Sequence, residues 1–299
     1  MNKDKMLIIG CSNSKQLTRK IANNLNVAHS DLTAKHFPDG ELYVKFETNP
    51  KNKEVVLVQS FYPANEAILE VLLAAYTAKD LGAKKLKLVA PYLAYIRQDK
   101  RFTPGEAISS KIIGKLFDVF DEIITIDPHL HRFKSLKEVF HTQTKKLISN
   151  KLIEEFILKN FKNPVIIGPD EESYQWAKEI ALEIKAQAAI LKKRRLSPRK
   201  VKITIKSPVG IKNKDIVIID DILSTGKTVL ETINYIKKQD PKTINVIAIH
   251  GIFADKVTYN KIKKNTSMII TTNTIENMHS KIDVSRLIAD SLKTKTKDI

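Results

Sequence analysis

The stretch Ile216-Val217-Ile218-Ile219-Asp220-Asp221-Ile222-Leu223-Ser224-Thr225-Gly226-Lys227-Thr228 decides the architecture. Four successive aliphatic residues without polar alternation mark a strand buried on both faces, and such strands belong to parallel sheets covered by helices. The run ends in two carboxylates, then a hydroxyl-rich turn that opens a helix-period segment, Lys227–Lys237. Ser224, Thr225 and Thr228 offer hydroxyls, and Gly226 lets the backbone approach closely. Free N–H groups and the helix dipole therefore converge on an anion, the signature of a phosphate cradle. Asp220 and Asp221 at its rim are acceptor-only groups suited to a vicinal diol or a metal. A simple helix cap accounts for Asp221 or Ser224 but not for both acids at a buried strand end. Gly226-Lys227-Thr228 is not the nucleotide-triphosphatase motif, because Asp221 stands where that motif needs its first glycine.

The same alternation runs outward along the chain. Met6–Gly10, Val55–Ser60, Lys87–Pro91 and Glu122–Asp127 read as strands in the first half; Pro164–Pro169, Ala188–Leu191, Ile216–Ile219 and Asn245–Ile249 read so in the second. Helices are expected at Lys15–Leu25, Glu66–Leu81, Ala107–Phe117, Gln175–Ile184, Lys227–Lys237 and Val284–Thr294. The pattern is α/β, with ligands expected at the carboxyl ends of strands. The polar, Lys-rich segment His131–Asn150 predicts a junction near residue 145. This divides the chain into 1–145 and 146–299, with the tail 284–299 packing back on the first part.

Composition narrows the class. The 299 residues are 42% hydrophobic and 28% charged, which excludes a disordered chain. The net charge of +18 suggests nucleic acid, but only eight of the 51 basic residues are arginine. Dispersed lysines read as solvated surface, so no nucleic-acid partner is expected. The single cysteine, Cys11, forbids an intrachain disulfide and suits a reducing compartment. No apolar run is long enough for a membrane span, and the expected location is the cytoplasm.

Three more segments carry chemistry. Phe37-Pro38-Asp39-Gly40-Glu41 precedes the alternating strand Leu42–Phe46; if it is extended, Phe37, Asp39 and Glu41 point the same way, one stacking ring and two acceptors suited to adenine. Pro91–Phe102 follows an apolar strand, and its Arg97 and Gln98 are donors for nucleotide phosphates, although alternating charges also suit a salt-bridged loop. The basic run Lys192–Lys200 reads either as a solvated hairpin or as a mobile cationic loop of the kind phosphoryl transfer uses.

The turn after Asp220-Asp221 resembles the phosphoribosyl-pyrophosphate loop of type I phosphoribosyltransferases and ribose-phosphate diphosphokinases, with Lys227 in place of the usual glycine. The first half is similar to the diphosphokinases (phosphoribosyl-pyrophosphate synthetases), since simple phosphoribosyltransferases lack it. Matching pieces include Gly10–Ser14, Gln59-Ser60 with Asn65, and Gly105–Ser109. The resemblance implies two tandem type I phosphoribosyltransferase-like α/β domains, each a mainly parallel sheet flanked by helices. It implies that Asp220 and Asp221 meet the ribose hydroxyls of ribose 5-phosphate while Ser224, Thr225, Gly226, Lys227 and Thr228 surround the 5-phosphate. It places Phe37, Asp39, Gly40 and Glu41 on ATP of a neighbouring subunit and Arg97, Gln98 and Asp99 on ATP of the same subunit. His129 and Asp170 fall at magnesium positions, and Lys193 and Arg195 are the catalytic cations, Arg195 also facing ribose 5-phosphate. The implied activity is Mg²⁺-dependent transfer of the diphosphoryl group of ATP to the 1-hydroxyl of ribose 5-phosphate, releasing AMP, in a homo-oligomer. The alternatives are a phosphoribosyltransferase that uses the product and an inactive regulatory homologue.

Overall fold

The computed structural model describes residues 5–130, 132–197, 200–205 and 209–293. The chain divides into two compact units: residues up to Ile148 with Thr274–Glu276 and the C-terminal segment from Val284, and Ser149–Asn273 with Asn277–Asp283.

The first unit opens with β1 (Met6–Gly10), α1 (Lys15–Leu25) and the antiparallel pair β2 (Ala28–His36) and β3 (Leu42–Phe46). It continues through β4 (Glu54–Val58), α2 (Ala64–Asp80), β5 (Lys85–Ala90), α3 (Ser109–Leu116), β6 (Glu122–Ile126) and β7 (Gln143–Leu147). The sheet order is β3-β2-β1-β4-β5-β6-β7, parallel throughout except at β3. Leu7, Ile8, Val55, Val56, Leu57 and Leu88 are buried, as a sheet covered on both faces requires. In α1 the buried residues Leu17, Thr18, Ile21, Ala22 and Leu25 fall on one helical face.

The second unit runs α4 (Asn150–Asn160), β8 (Val165–Gly168), α5 (Glu171–Glu183), β9 (Gln187–Ser197), β10 (Lys200–Ile205), β11 (Asp215–Leu223), α6 (Lys227–Ile236), β12 (Thr243–Gly251), α7 (Lys256–Lys264), β13 (Met268–Thr272) and β14 (Ser280–Ile282). Its order, β10-β9-β8-β11-β12-β13-β14, repeats that of the first sheet strand for strand, again with one antiparallel edge at β10. The C-terminal helix α8 (Ser285–Lys293) belongs to the first unit, where Asn24 Nδ2 donates to Ser285 Oγ at 3.1 Å and Lys145 Nζ to the Ser291 carbonyl at 3.0 Å.

Two strands differ from the sequence expectation, and the division between the units falls at Ile148/Ser149. The polar segment around His131–Asn150 contains β7, which pairs in parallel with β6 and carries residue 145 inside the first sheet. Its lysines disguised it: Lys145 is no solvated side chain but reaches Glu122 at 3.0 Å, in a cluster where Lys87 contacts Glu54 at 2.7 Å and Glu122 at 3.0 Å. The strand expected at Ala188–Leu191 continues to Ser197 and turns into β10. The basic run therefore lies partly in a hairpin, with Lys193 opposite Ile203 and Arg195 opposite Val201.

Among the described residues no helix is long and apolar enough to cross a membrane.

Candidate active site at the carboxyl end of the second sheet

β11 positions the acid pair. Its residues Ile216–Ile219 are buried, and the strand carries Asp220, itself buried, and half-buried Asp221 to the sheet's carboxyl end. β8 is the neighbour of β11, and the turn after β8 leads into α5. A Cβ on Gly168 would lie 2.6 Å from the Tyr174 Cα, so only glycine lets the start of α5 pass this close to the strand end. Asp170 caps α5, its Oδ1 accepting the Ser173 N–H at 2.9 Å. The Ser173 hydroxyl sits 2.9 Å from Asp170 Oδ1 and 3.0 Å from Asp220 Oδ1. The Ser173 hydroxyl thus bridges the two carboxylates. Burial, then the charges of Asp221 and Asp170, push the Asp220 carboxyl up to about 8. Three acids expected on separate grounds thus form one electrostatic cluster.

The turn that follows is an open donor cradle. Gly226 is the N-cap of α6 at φ +75, a left-handed conformation that disfavours residues with a Cβ, and an added Cβ would meet Ile262 Cδ1 at 2.7 Å. No side chain caps α6, and the N–H groups of Thr225, Gly226, Lys227 and Thr228 have no acceptor among the described residues. They present orphan donors and the positive end of the helix dipole to an anion. Lys227 is exposed, and its ammonium lies within electrostatic reach of Asp255, a carboxylate held low first by the Thr258 hydroxyl and N–H. The extra side chain thus leaves the backbone cradle open.

In the first unit the loop after β1 is tied to α2 and to the end of β4. There the buried Glu70 carboxylate takes the Ser12 N–H at 2.9 Å, the Ser12 hydroxyl at 3.0 Å and Gln59 Nε2 at 2.8 Å. The Ser60 N–H goes to Ser14 Oγ at 2.9 Å, and the Asn13 N–H to Gln59 Oε1 at 3.0 Å. The protein's own carboxylate thus occupies the Ser12 donors after β1, the strand that corresponds to β8; the turn that corresponds to the cradle follows β4, and α2 there likewise has no side-chain cap.

The remaining candidates lie on loops of the first unit. Phe37–Glu41 is the tip of the β2–β3 hairpin, closed by the Phe37 N–H to the Glu41 carbonyl at 2.8 Å and the Gly40 N–H to Phe37 at 2.9 Å. The extended geometry that would align Phe37, Asp39 and Glu41 is not adopted, because the segment must reverse the chain between paired strands. Asp39 instead accepts the Glu41 N–H at 3.2 Å. The tip is still accessible, with Phe37 50% exposed and edge-on to Tyr43 at 5.8 Å. After β5, Arg97 is exposed. Gln98 Nε2 donates to Glu106 at 3.3 Å, and its carbonyl accepts the Ser110 hydroxyl at 3.1 Å. Asp99 is buried; its Oδ1 is engaged by Arg132 Nη1 at 2.6 Å, and its Oδ2 has no hydrogen-bond partner among the described residues. Sequence reasoning missed Arg132, whose guanidinium lies 5.0 Å from the centroid of exposed Phe102, with Lys100 at 5.3 Å. The scarcity of arginine was the available signal.

His129 is half-buried in the loop beyond β6, on the first unit, while Asp170 belongs to the second. Among the described residues no group of three or more His, Cys, Asp or Glu forms a metal cage. The side chains of Lys193 and Arg195 lie outside the described residues.

Two family models match: the N-terminal domain of ribose phosphate pyrophosphokinase over residues 6–120, and a phosphoribosyl transferase domain over residues 135–287. The ribose-phosphate pyrophosphokinase of Saccharolobus solfataricus is 35% identical over 299 residues, covering 96% of this chain and 100% of that protein. That of Methanobrevibacter smithii is 32% identical over 300 residues, with the same coverage. The crystal structure of phosphoribosylpyrophosphate synthetase from Mycobacterium smegmatis shares the fold, with a TM-score of 0.83 at 21% identity over 97% of this chain and 98% of that one. A repeated sheet, an anion cradle at the carboxyl end of β11, and full-length identity above 30% lead to one assignment: this chain belongs to the ribose-phosphate pyrophosphokinase family.

Proposed function

We propose that this enzyme transfers the diphosphoryl group of ATP to the 1-hydroxyl of ribose 5-phosphate, giving 5-phosphoribosyl 1-diphosphate, a precursor for nucleotide biosynthesis, and AMP. The observation that carries the reading is the open N–H cradle at Thr225–Thr228 beside Asp220 and Asp221. The second unit, in this reading, holds the sugar phosphate: the cradle takes its 5-phosphate, and the acid pair accepts hydrogen bonds from its hydroxyls.

ATP belongs to the first unit. Arg97 and Gln98 donate to its phosphates, Asp99 steadies Arg132 beside them, and Phe37, Asp39, Gly40 and Glu41 of a neighbouring subunit receive the base. The oxygen of the 1-hydroxyl attacks the β-phosphorus. The bond from that phosphorus to the oxygen bridging the α- and β-phosphates breaks, AMP leaves, and the hydroxyl proton passes to solvent. Lys193 and Arg195 offset the negative charge that develops on the transferred group. Asp170 offers Mg²⁺ a hard carboxylate oxygen, which suits a cation that binds through one or two carboxylates together with substrate phosphates. When bound there or at His129, Mg²⁺ supplies charge neutralisation and a template for the polyphosphate.

Incubation with ATP, Mg²⁺ and ribose 5-phosphate tests the proposal, with AMP as the readout. AMP formed only when the sugar phosphate is present is the expected result. A phosphoribosyltransferase would release no AMP and would need an added base, and that outcome would sink the reading.

A further inference from the structure

The cradle at Thr225–Thr228 is shaped from behind by a loop that sequence reasoning did not single out, Ile252–Asp255, between β12 and α7. Three consecutive amides of this loop face β11 and the turn. Ile252 N–H and Phe253 N–H donate to the Leu223 carbonyl at 3.1 and 3.0 Å, and Ala254 N–H donates to the Ser224 carbonyl at 3.0 Å. A carbonyl oxygen aimed into an anion site repels the anion. Here the two carbonyls that immediately precede the cradle are drawn backwards, and the free N–H groups are left facing forwards.

This presentation depends on an unusual backbone. Phe253 has φ +52, in the left-handed region that a bulky residue enters only under constraint from its surroundings. The constraint is an aromatic clamp. The Phe253 ring lies 5.1 Å from the Tyr259 ring and 5.4 Å from His279, both in edge-like or tilted packing. Tyr259 and His279 hold each other, the Tyr259 hydroxyl lying 2.8 Å from His279 Nε2. Tyr259 comes from the first turn and a half of α7, whose Asp255 cap accepts Val257 N–H at 3.0 Å and Thr258 N–H at 3.2 Å. Ile262 of the same helix closes on Gly226. One short helix therefore both supports the turn from below and sets the ring that fixes its backing loop.

We infer that Phe253, clamped by Tyr259 and His279, is a positioning residue for the sugar-phosphate site: it holds the Leu223 and Ser224 carbonyls away from the 5-phosphate so that the turn presents only donors. The inference rests on the assignment of ribose 5-phosphate to this turn. It predicts a selective effect on that substrate, because ATP is assigned to the other unit.

Steady-state AMP release at saturating MgATP, with ribose 5-phosphate varied, tests it. Phe253→Ala is expected to raise the KM for ribose 5-phosphate about tenfold, with the KM for ATP within about twofold of the parent, a split that general destabilisation would not give. Phe253→Tyr keeps the ring and should stay near the parent value. Tyr259→Phe removes only the hydroxyl that holds His279 and should raise the same KM about threefold. Val257→Ala, exposed on the same helix, is the silent control. Unchanged KM for ribose 5-phosphate in folded Phe253→Ala, or equal weakening of both substrates, overturns the inference. If Phe253→Ala does not fold, Tyr259→Phe decides, and an unchanged KM there overturns it equally. Parent protein that releases no AMP under these conditions overturns the functional reading itself, a result distinct from either of these.

Discussion

At the scale of single residues, Asp220 shows a site working against stability. Its carboxyl titrates at about 8 when folded against 3.8 for the free side chain, so between these values the folded chain holds a proton that the unfolded chain has released. Stability from this group is present at low pH and is lost as pH rises through the folded value. Asp220→Asn, which cannot ionise, should flatten that slope and make the metal-free protein more resistant to denaturant than the parent at pH 8, while abolishing turnover. Unfolding midpoints across this range measure it, and an unchanged slope would remove Asp220 as the source. The cations proposed for catalysis make the opposite case. Lys193→Ala should lower kcat by about 10²–10³, the usual cost of one charged or oxyanion donor, without shifting the melting temperature. An unchanged kcat would remove Lys193 from the proposed machinery. The identities of Asp220, Asp221 and the glycine-containing turn were legible because buried-strand hydrophobicity, paired acids and hydroxyls follow one another within thirteen residues of chain. Ser173 was not legible as their link, since its hydroxyl reaches Asp220 across a sequence separation of 47.

At the scale of elements, patterning located most of the strands buried on both faces and the alternating edge strand β3, but passed over β2, β7, β10, β14 and the buried β13. β2 carries a single fully buried residue, Leu32, and β7 reads Gln-Thr-Lys-Lys-Leu, so neither shows the continuous apolar run that marks β1, β4 or β11. β7 is held instead by charge. Burial raises the Glu122 carboxyl, but hydrogen bonds from Lys145 and the charge and hydrogen bond of Lys87 outweigh it, and the net shift is downward. Lys87 is likewise opposed by burial but raised overall by Glu54 and Glu122. Glu122→Leu leaves Lys87 and Lys145 without their shared partner and should cost about 3–5 kcal/mol, read as a shift in the denaturant midpoint. The lowered Glu122 carboxyl contributes stability above its unfolded value of 4.5, and that contribution should be lost as pH falls through the folded value. A midpoint that moves by less than experimental scatter would show that β7 docks by backbone pairing alone. The hairpin tip at Phe37–Glu41 shows a different limit of patterning: period two places side chains on one face only within a strand, and a reversal destroys the alignment.

At the scale of the whole molecule, one sheet order used twice carries two different ends. After β1 the Ser12 donors are satisfied by Glu70, and after β11 the N–H groups of Thr225–Thr228 have no acceptor among the described residues. If Phe37, Asp39 and Glu41 serve the ATP of a neighbouring subunit, activity per chain should fall on dilution through the assembly's dissociation range. Specific activity measured alongside sedimentation checks this, and activity that stays constant into the monomer range would place the hairpin outside the ATP site. The +18 charge divides on the same scale: Lys87 and Lys145 are structural, Lys227 stands at the cradle, and a wide positive field favours anionic substrates over any one contact. By itself the sequence determined the α/β class and the acid-and-hydroxyl turn, because each is written in neighbouring residues through burial period and turn chemistry, and the tandem arrangement followed from the family resemblance. Only the tertiary structure decided which strand-end donors are free, that Asp99 belongs to Arg132, and that Phe253 stands behind the cradle. Those facts depend on side chains meeting from distant parts of the chain, where hydrogen-bond geometry and burial, and not residue type, select the partner.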